Sequence, residues 1–313
     1  MPETTMTFEQ RVAMFKATAT DLQARADWAA SRGDVILPLI NEQSTVRYIF
    51  REERLAGESS ATYQIPFEDI DAAWVMPNIG GIPTIQVEGA EIHVPTFGLD
   101  AGVEYSMDIA KDGRFPVAEL STTLLKNKFI RQEELSAWSL IRAHAATLSP
   151  IQIVTASQAN GTAGSGNGTN GVLNIWTLNN VLTAADQLGI GGRRVTDIYV
   201  SPLRFGDLRT QLVNRDLPPI LRTALYGDGS DPELPSKSSL RIHKVYRPDL
   251  VDNNHGYAFT RKDGYFYGVM PIRENVSTRD NPISVLEWKI GVIGRERLGF
   301  GVIDNLGLIV ILF

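Results

Sequence analysis

The side chains most able to do chemistry in this sequence stand apart from one another. The four histidines, His93, His144, His243 and His255, share no helical or loop spacing that would let two of them grip one metal ion, and no His-Glu-x-x-His pattern occurs. They read as structural or surface residues. There are no cysteines, so disulfides, thiolate catalysis and cysteine-ligated zinc or iron–sulfur sites are excluded, which fits a reducing compartment. The glycine-rich run Gln158 to Gly171 has the composition of a phosphate cradle but not its context. Such a cradle needs a preceding strand, a following helix N-terminus and usually a lysine, and no lysine occurs between Lys128 and Lys237. A flexible loop is the better reading. Asn160-Gly161-Thr162 and Asn167-Gly168-Thr169 match a glycosylation pattern with no sign of a secretory route. Glu68, Asp69 and Asp71 form an acidic trio, and Glu133-Glu134 an acidic pair. Catalytic carboxylates face each other across a substrate, which neighbours in sequence do not achieve, so solvated faces are expected. No Gly-x-Ser-x-Gly elbow is present. Nothing supports an enzyme, and no cofactor or metal is expected.

The elements that carry these residues form an α+β pattern. The chain has 313 residues, 43% of them hydrophobic and 21% charged, enough for one large domain or two modest ones. Lys+Arg at 30 against Asp+Glu at 36 leaves a net charge of -6, without the basic excess of a chain devoted to holding nucleic acid. Residues 1–32 read as a polar helical arm with loose apolar spacing, and 35–40 as a short apolar run broken by Pro38. Thr45 to Phe50 alternates like a strand, and Thr62 to Pro66 returns as a second one after a turn at Ala56 to Ser59. Further strands are expected near 73–76, 84–87 and 91–94, too short and polar to form an independent core. The longest helical signal runs from Ser121 to Leu148. Leu135, Trp138, Ile141, Ala145 and Leu148 share one stripe, Leu125 and Phe129 extend it upstream, and Pro150 stops it. That helix would be about 42 Å long. Helices at 173–188 and 203–213, a strand at 195–200, a long loop at 217–239, strands at 241–246, 256–260 and 265–270, a polar excursion at 273–282, and strands at 283–293 and 300–312 complete the reading. The apolar tail 306–313 is far shorter than the roughly 20 residues of a membrane helix and reads as a buried strand.

In this order the parts resemble the major capsid proteins of tailed phages, the Hong Kong 97-type fold shared with encapsulins. Three segments carry the resemblance: Ser44 to Leu55 followed by Tyr63 to Pro66, which looks like an E-loop; Lys126 to His144, which looks like a spine helix; and Asp197 to Leu208 together with Val285 to Asp304, including Arg295-Glu296-Arg297. The resemblance implies an N-terminal arm (1–44), an extended β E-loop (45–100), a peripheral domain (101–150 and 271–297, spine helix 121–148) and an axial domain (151–270 and 298–313). It also implies a function: hexamers and pentamers tiling an icosahedral shell around double-stranded DNA, assembled in the host cytoplasm and residing in the virion capsid. The partners would be the chain itself, non-specifically bound DNA, a separate scaffold protein, a portal and a decoration protein, with no membrane.

Arms too polar to fold alone would gain their stability on neighbouring subunits, where such a contact can bury more than ~1,000 Å². Arg47, Arg51, Glu52, Glu53 and Arg54 are expected to meet a neighbour's spine helix, at Lys126, Arg131, Glu133 and Glu134, or its Arg273, Glu274 and Arg279. The alternative is a solvated strand face, and exposed pairs are worth only ~0–1 kcal/mol. Some members of the family crosslink an E-loop lysine to an asparagine of the next subunit. No lysine occurs between Lys16 and Lys111, so no such crosslink is expected. About 44 residues precede Thr45, which leaves no room for a large cleaved scaffolding segment. An encapsulin-type shell and a soluble α/β enzyme are the rival readings.

Overall fold

The computed structural model describes residues 27, 29, 44–56, 59–66, 89–106, 108, 117–156, 171–189, 193–212, 240–261, 266–281 and 289–313. The N-terminal helical reading, the strands near 73–76 and 84–87, the acidic trio, nearly all of the glycine-rich loop and the 217–239 loop fall outside the described residues.

Two five-stranded sheets share one core. The first has the order β1 (Phe50–Arg54), β9 (Gly268–Asp280), β10 (Lys289–Leu298), β4 (Phe97–Ser106), with β11 (Gly301–Val302) also on β9. The second has the order β5 (Ile153–Thr155), β12 (Leu308–Leu312), β8 (His255–Arg261), β6 (Arg194–Val200), β7 (Arg241–Lys244). A two-stranded hairpin, β2 (Thr62–Pro66) with β3 (Gly89–His93), stands separately. Strands read from alternation and β-branched content thus appear at 62–66, 194–200, 241–244, 255–261 and 308–312, close to the expected bounds.

The long helix spans Val117–Ala145. Its buried positions, Ser121, Leu125, Phe129, Ala137, Trp138 and Ile141, recur at three- and four-residue spacing, as expected for an element covered on one side. Phe129 lies against β10. A Cβ built on Gly294 would come within 2.6 Å of the Phe129 ring, so only glycine lets helix and strand approach this closely. Trp138 is fully buried and meets Tyr199 and Tyr257 edge-on at 5.7 and 5.4 Å between ring centroids. Around it gather Val46, Ile49 and Phe50, Met270, Ile272 and Leu298 of the first sheet, and Tyr257, Phe259, Leu308 and Val310 of the second. The other face of the second sheet carries Ile198, Val200, Ala258, Ile309 and Ile311. It is covered by the helices Ile175–Asp186, through Leu178, Val181 and Ala185, and Pro202–Leu212, through Phe205 and Leu208. The apolar tail is a central strand of this sheet, as its composition indicates.

Two expectations are corrected. Residues 46–49 form a turn of helix, not a strand. Val46, Ile49 and Phe50 are spaced three and four apart and all point into the core, so a period-2 reading mistook helical spacing for alternation. The strand begins at Phe50 and pairs in parallel with β9, so the segment 46–54 lies on the chain's own body. The polar stretch 273–280 is not an excursion but the second half of β9, held by β10 through a register shift. Val276 and Thr278 face inward while Glu274, Ser277 and Arg279 face solvent, and the many outward polar residues concealed the strand.

Candidate functional site

The strongest concentration of charge lies inside the subunit, where the 46–49 turn, the long helix and β10 cross. Thr45 opens this turn. Its backbone N–H and hydroxyl donate to Glu134 Oε1 at 3.4 and 3.1 Å. Two residues on, Arg47 donates through Nε and Nη2 to the two oxygens of Glu133 at 3.1 and 3.0 Å, a fork-to-fork pair. The same Nη2 reaches Glu296 Oε1 at 2.9 Å, and Nη1 reaches Glu52 Oε1 at 3.3 Å. The Arg47 side chain is 3% exposed and those of Glu133 and Glu296 are fully buried, whereas that of Glu52 is 34% exposed.

Burial works against the Arg47 charge, but the Glu133 hydrogen bonds and the negative charges of Glu133, Glu296 and Glu52 outweigh it, and the guanidinium is held above its ordinary pKa. Burial and the adjacent Glu133 carboxylate push Glu296 the other way for an acid, up to about 8, with Arg47 offsetting part of the rise. Burial and Glu133 thus favour the protonated form of Glu296. This arrangement locks three elements in register. It is a structural hub.

The residues singled out from the sequence are therefore divided. The structure brings Arg47, Glu52 and Glu133 together in one chain. For Arg47, Glu133 and Glu134 the expectation of intersubunit or solvated positions is corrected, because all three are buried and paired internally. Glu134 also receives Arg247 Nη1 at 3.1 Å, and Arg247 binds Asp249 at 2.7 Å. Lys126 is buried on the same helix. Arg51, Glu52, Glu53 and Arg54 expose their side chains along β1, an edge strand, and Arg131, Glu274 and Arg279 are exposed elsewhere. Arg273 Nη2 donates to the Ser59 carbonyl at 3.0 Å. Glu53 lies beside Tyr63, whose hydroxyl is pushed up to about 12 by burial and by that carboxylate. On the first sheet's surface Arg295 lies 3.6 Å from Asp100 and 4.0 Å from Glu274, a hydrated row across three strands.

Sequence reasoning missed Glu296. The signal was present: Val292, Gly294, Glu296 and Leu298 are the inward positions of β10, while Arg295 and Arg297 face out. A strict alternation through Arg295-Glu296-Arg297 places the carboxylate in the core.

Three of the four histidines have separate partners: His144 with the Tyr267 hydroxyl at 3.1 Å, His243 with Asp197 at 2.9 Å, and His255 with Asp252 at 2.8 Å. Among the described residues no three metal-ligating side chains converge, and no helix is long and apolar enough to cross a membrane.

No family model and no curated protein matches the chain. Solved structures do. The capsid of the cyanophage P-SCSP1u aligns with a TM-score of 0.57 at 14% identity, covering 84% of this chain and 86% of the other. A chain of Mycobacterium phage Bobi aligns at 0.55 and 15% identity, covering 86% and 90%. A virus-like particle from Pyrococcus furiosus aligns at 0.50 and 15% identity, covering 91% and 98%. The chain has the fold of phage capsid proteins, a fold that this archaeal particle shares.

Proposed function

We propose that this chain is the major shell subunit of a tailed phage, assembling as hexamers and pentamers into an icosahedral container for double-stranded DNA. The observation that carries the reading is the likeness to phage capsid chains over more than four-fifths of both partners. In this reading the long helix is the spine helix, the first sheet and that helix make the peripheral domain, and the second sheet with its two flanking helices makes the axial domain. The E-loop is the hairpin β2–β3 with the residues between its strands, and 45–54 is its anchored root. Work is done by surface complementarity and repetition under closed symmetry, not by catalysis. The outward charges Arg51, Glu52, Glu53, Arg54, Arg131, Glu274 and Arg279 select the neighbour's register. A separate scaffold, a portal and a decoration protein complete the assembly, which forms in the host cytoplasm.

A protein-storing nanocompartment is the second reading, favoured by the near-complete coverage of the Pyrococcus furiosus particle. Velocity sedimentation of the full chain tests the shell reading common to both. Particles far heavier than the 34.5 kDa subunit are expected, dissolving to a single monomer band on a denaturing gel because the E-loop holds no lysine. A monomer in sedimentation contradicts the shell, and a covalent ladder contradicts the proposed non-covalent contacts. Particles purified from their native source discriminate the two contents: protected DNA supports the phage reading and a single protein cargo overturns it.

A further inference from the structure

On a chain of net charge -6, one surface gathers more cations than carboxylates among the described residues. In the second sheet Arg241 lies opposite Asp197 on neighbouring β6, and Arg194 lies opposite Arg261 on β8. Residues paired across strands share a face, so Arg194, Arg241, His243 and Arg261 belong to the face that carries Tyr199. This face is covered by the Trp138 core at Tyr199 and Tyr257 and emerges into solvent at the arginines. Arg261 Nη2 donates to the Tyr48 carbonyl at 3.3 Å, and Tyr48 is 56% exposed. Arg261 and Arg51 also lie over the Phe266 ring, at 5.5 and 5.3 Å from its centroid.

None of Arg51, Arg194, Arg241 and Arg261 forms an ion pair among the described residues. Asp197, the carboxylate in their midst, is tied to His243, and Glu53 on the Arg51 strand lies against Tyr63.

We propose that this surface, Arg51, Arg194, Arg241 and Arg261 with Tyr48 and Phe266, is where the subunit meets the phosphate backbone of nucleic acid. Arginines stacked on an aromatic ring are pre-oriented and present their N–H edges outward, the geometry that suits phosphate oxygens. Arg241 and Arg261 lie two strands apart, about 10 Å, a length of duplex axis that carries roughly six phosphate charges. The contact is sequence-independent, because bonds to phosphate oxygens carry no base information. Its few cations make it weak and salt-labile, which lets a packaged genome slide. The overall acidity and the local basicity are then complementary: the wall repels DNA generally and holds it at defined points. The proposal rests on the shell reading for the identity of the DNA as the packaged genome.

The test compares the full-length chain, kept below its assembly concentration, with the variant Arg194→Gln/Arg241→Gln/Arg261→Gln. Binding to a labelled duplex of about 30 base pairs is followed across salt concentration. The slope of log K against log salt is expected to become shallower by about 2.7, so that the affinity lost between 50 and 200 mM salt shrinks roughly 40-fold. Arg142→Gln/Arg297→Gln, which removes exposed charges elsewhere, is expected to leave the slope unchanged. Should the triple variant misfold, the single exposed change Arg241→Gln is expected to reduce the slope by about 0.9. An unchanged slope overturns the proposal. So does an unchanged slope with lost particle assembly, which would assign the patch to an acidic segment of a neighbouring copy. Electron microscopy of the same proteins concentrated above the assembly threshold separates the two levels, since particles that form while the slope stays unchanged leave the shell reading standing.

Discussion

Replacing Arg47 by methionine is expected to lower the unfolding free energy of the unassembled chain by about 3–5 kcal/mol, because it leaves Glu133 and Glu296 buried around an empty charge position. Urea denaturation measures it directly as a fall in midpoint at constant slope. The loss comes from stranded carboxylates and not from missing attraction, so a second variant must behave oppositely. Arg47→Met/Glu133→Leu/Glu296→Leu removes the whole buried set in one step and is expected to match or exceed the parent stability. Glu52 can stay, since its side chain is partly hydrated. A cost below about 1 kcal/mol for Arg47→Met alone would show that the hub does not hold the 46–49 turn to the long helix.

The second large effect is a dependence on pH with an uncommon sign. Glu296 has its folded pKa raised from the ordinary 4.5 to about 8, by burial first and by Glu133 second. Below about 4.5 both folded and unfolded chains carry this proton and the contribution is fully present. Between about 4.5 and 8 the folded chain holds a proton that the unfolded chain has released, so stability falls as pH rises. Above about 8 the contribution is gone. Glu296→Gln mimics the protonated acid permanently and is expected to be more stable than the parent at about pH 9, by an amount on the order of a few kcal/mol, and equal to it near pH 4.

The difference between the two proteins is the informative quantity. His144, held below its ordinary value by burial, gives the opposite slope in the same window. Asp197, Asp249 and Asp252, all held low through their His or Arg partners despite some burial, act at more acid pH. Subtracting the two melting curves cancels these groups. A parent and variant with parallel pH profiles would mean that Glu296 is ionised inside the folded chain.

Most of the architecture was legible because burial imposes period. The stripe from Leu125 to Ile141 marks the long helix, and the Val-Ile-Leu run of 308–312 marks a strand buried on both faces. Where legibility failed, two periods were compatible with one short string, or polarity outweighed alternation. Thr45 to Phe50 satisfies both a strand and a helical turn, and only the core that receives Val46, Ile49 and Phe50 decides between them. Arg273 to Asp280 was concealed by its outward charges. The hub was half visible. Glu133 sits on the apolar stripe of the helix, four residues from Phe129, a position where a carboxylate signals a buried partner and not a solvated face. Its cation is 86 residues away and its companion acid lies on a different strand, distances over which sequence pattern carries no information. Of the charges set against a neighbour's long helix, Arg47 meets that element within its own subunit.

Negative-stain electron microscopy of the purified full-length chain tests the central claim most directly. Closed shells, or free rings with five- and six-fold symmetry, are the predicted result. A field of dispersed single subunits, under the salt and concentration at which the chain sediments as one species, would contradict it.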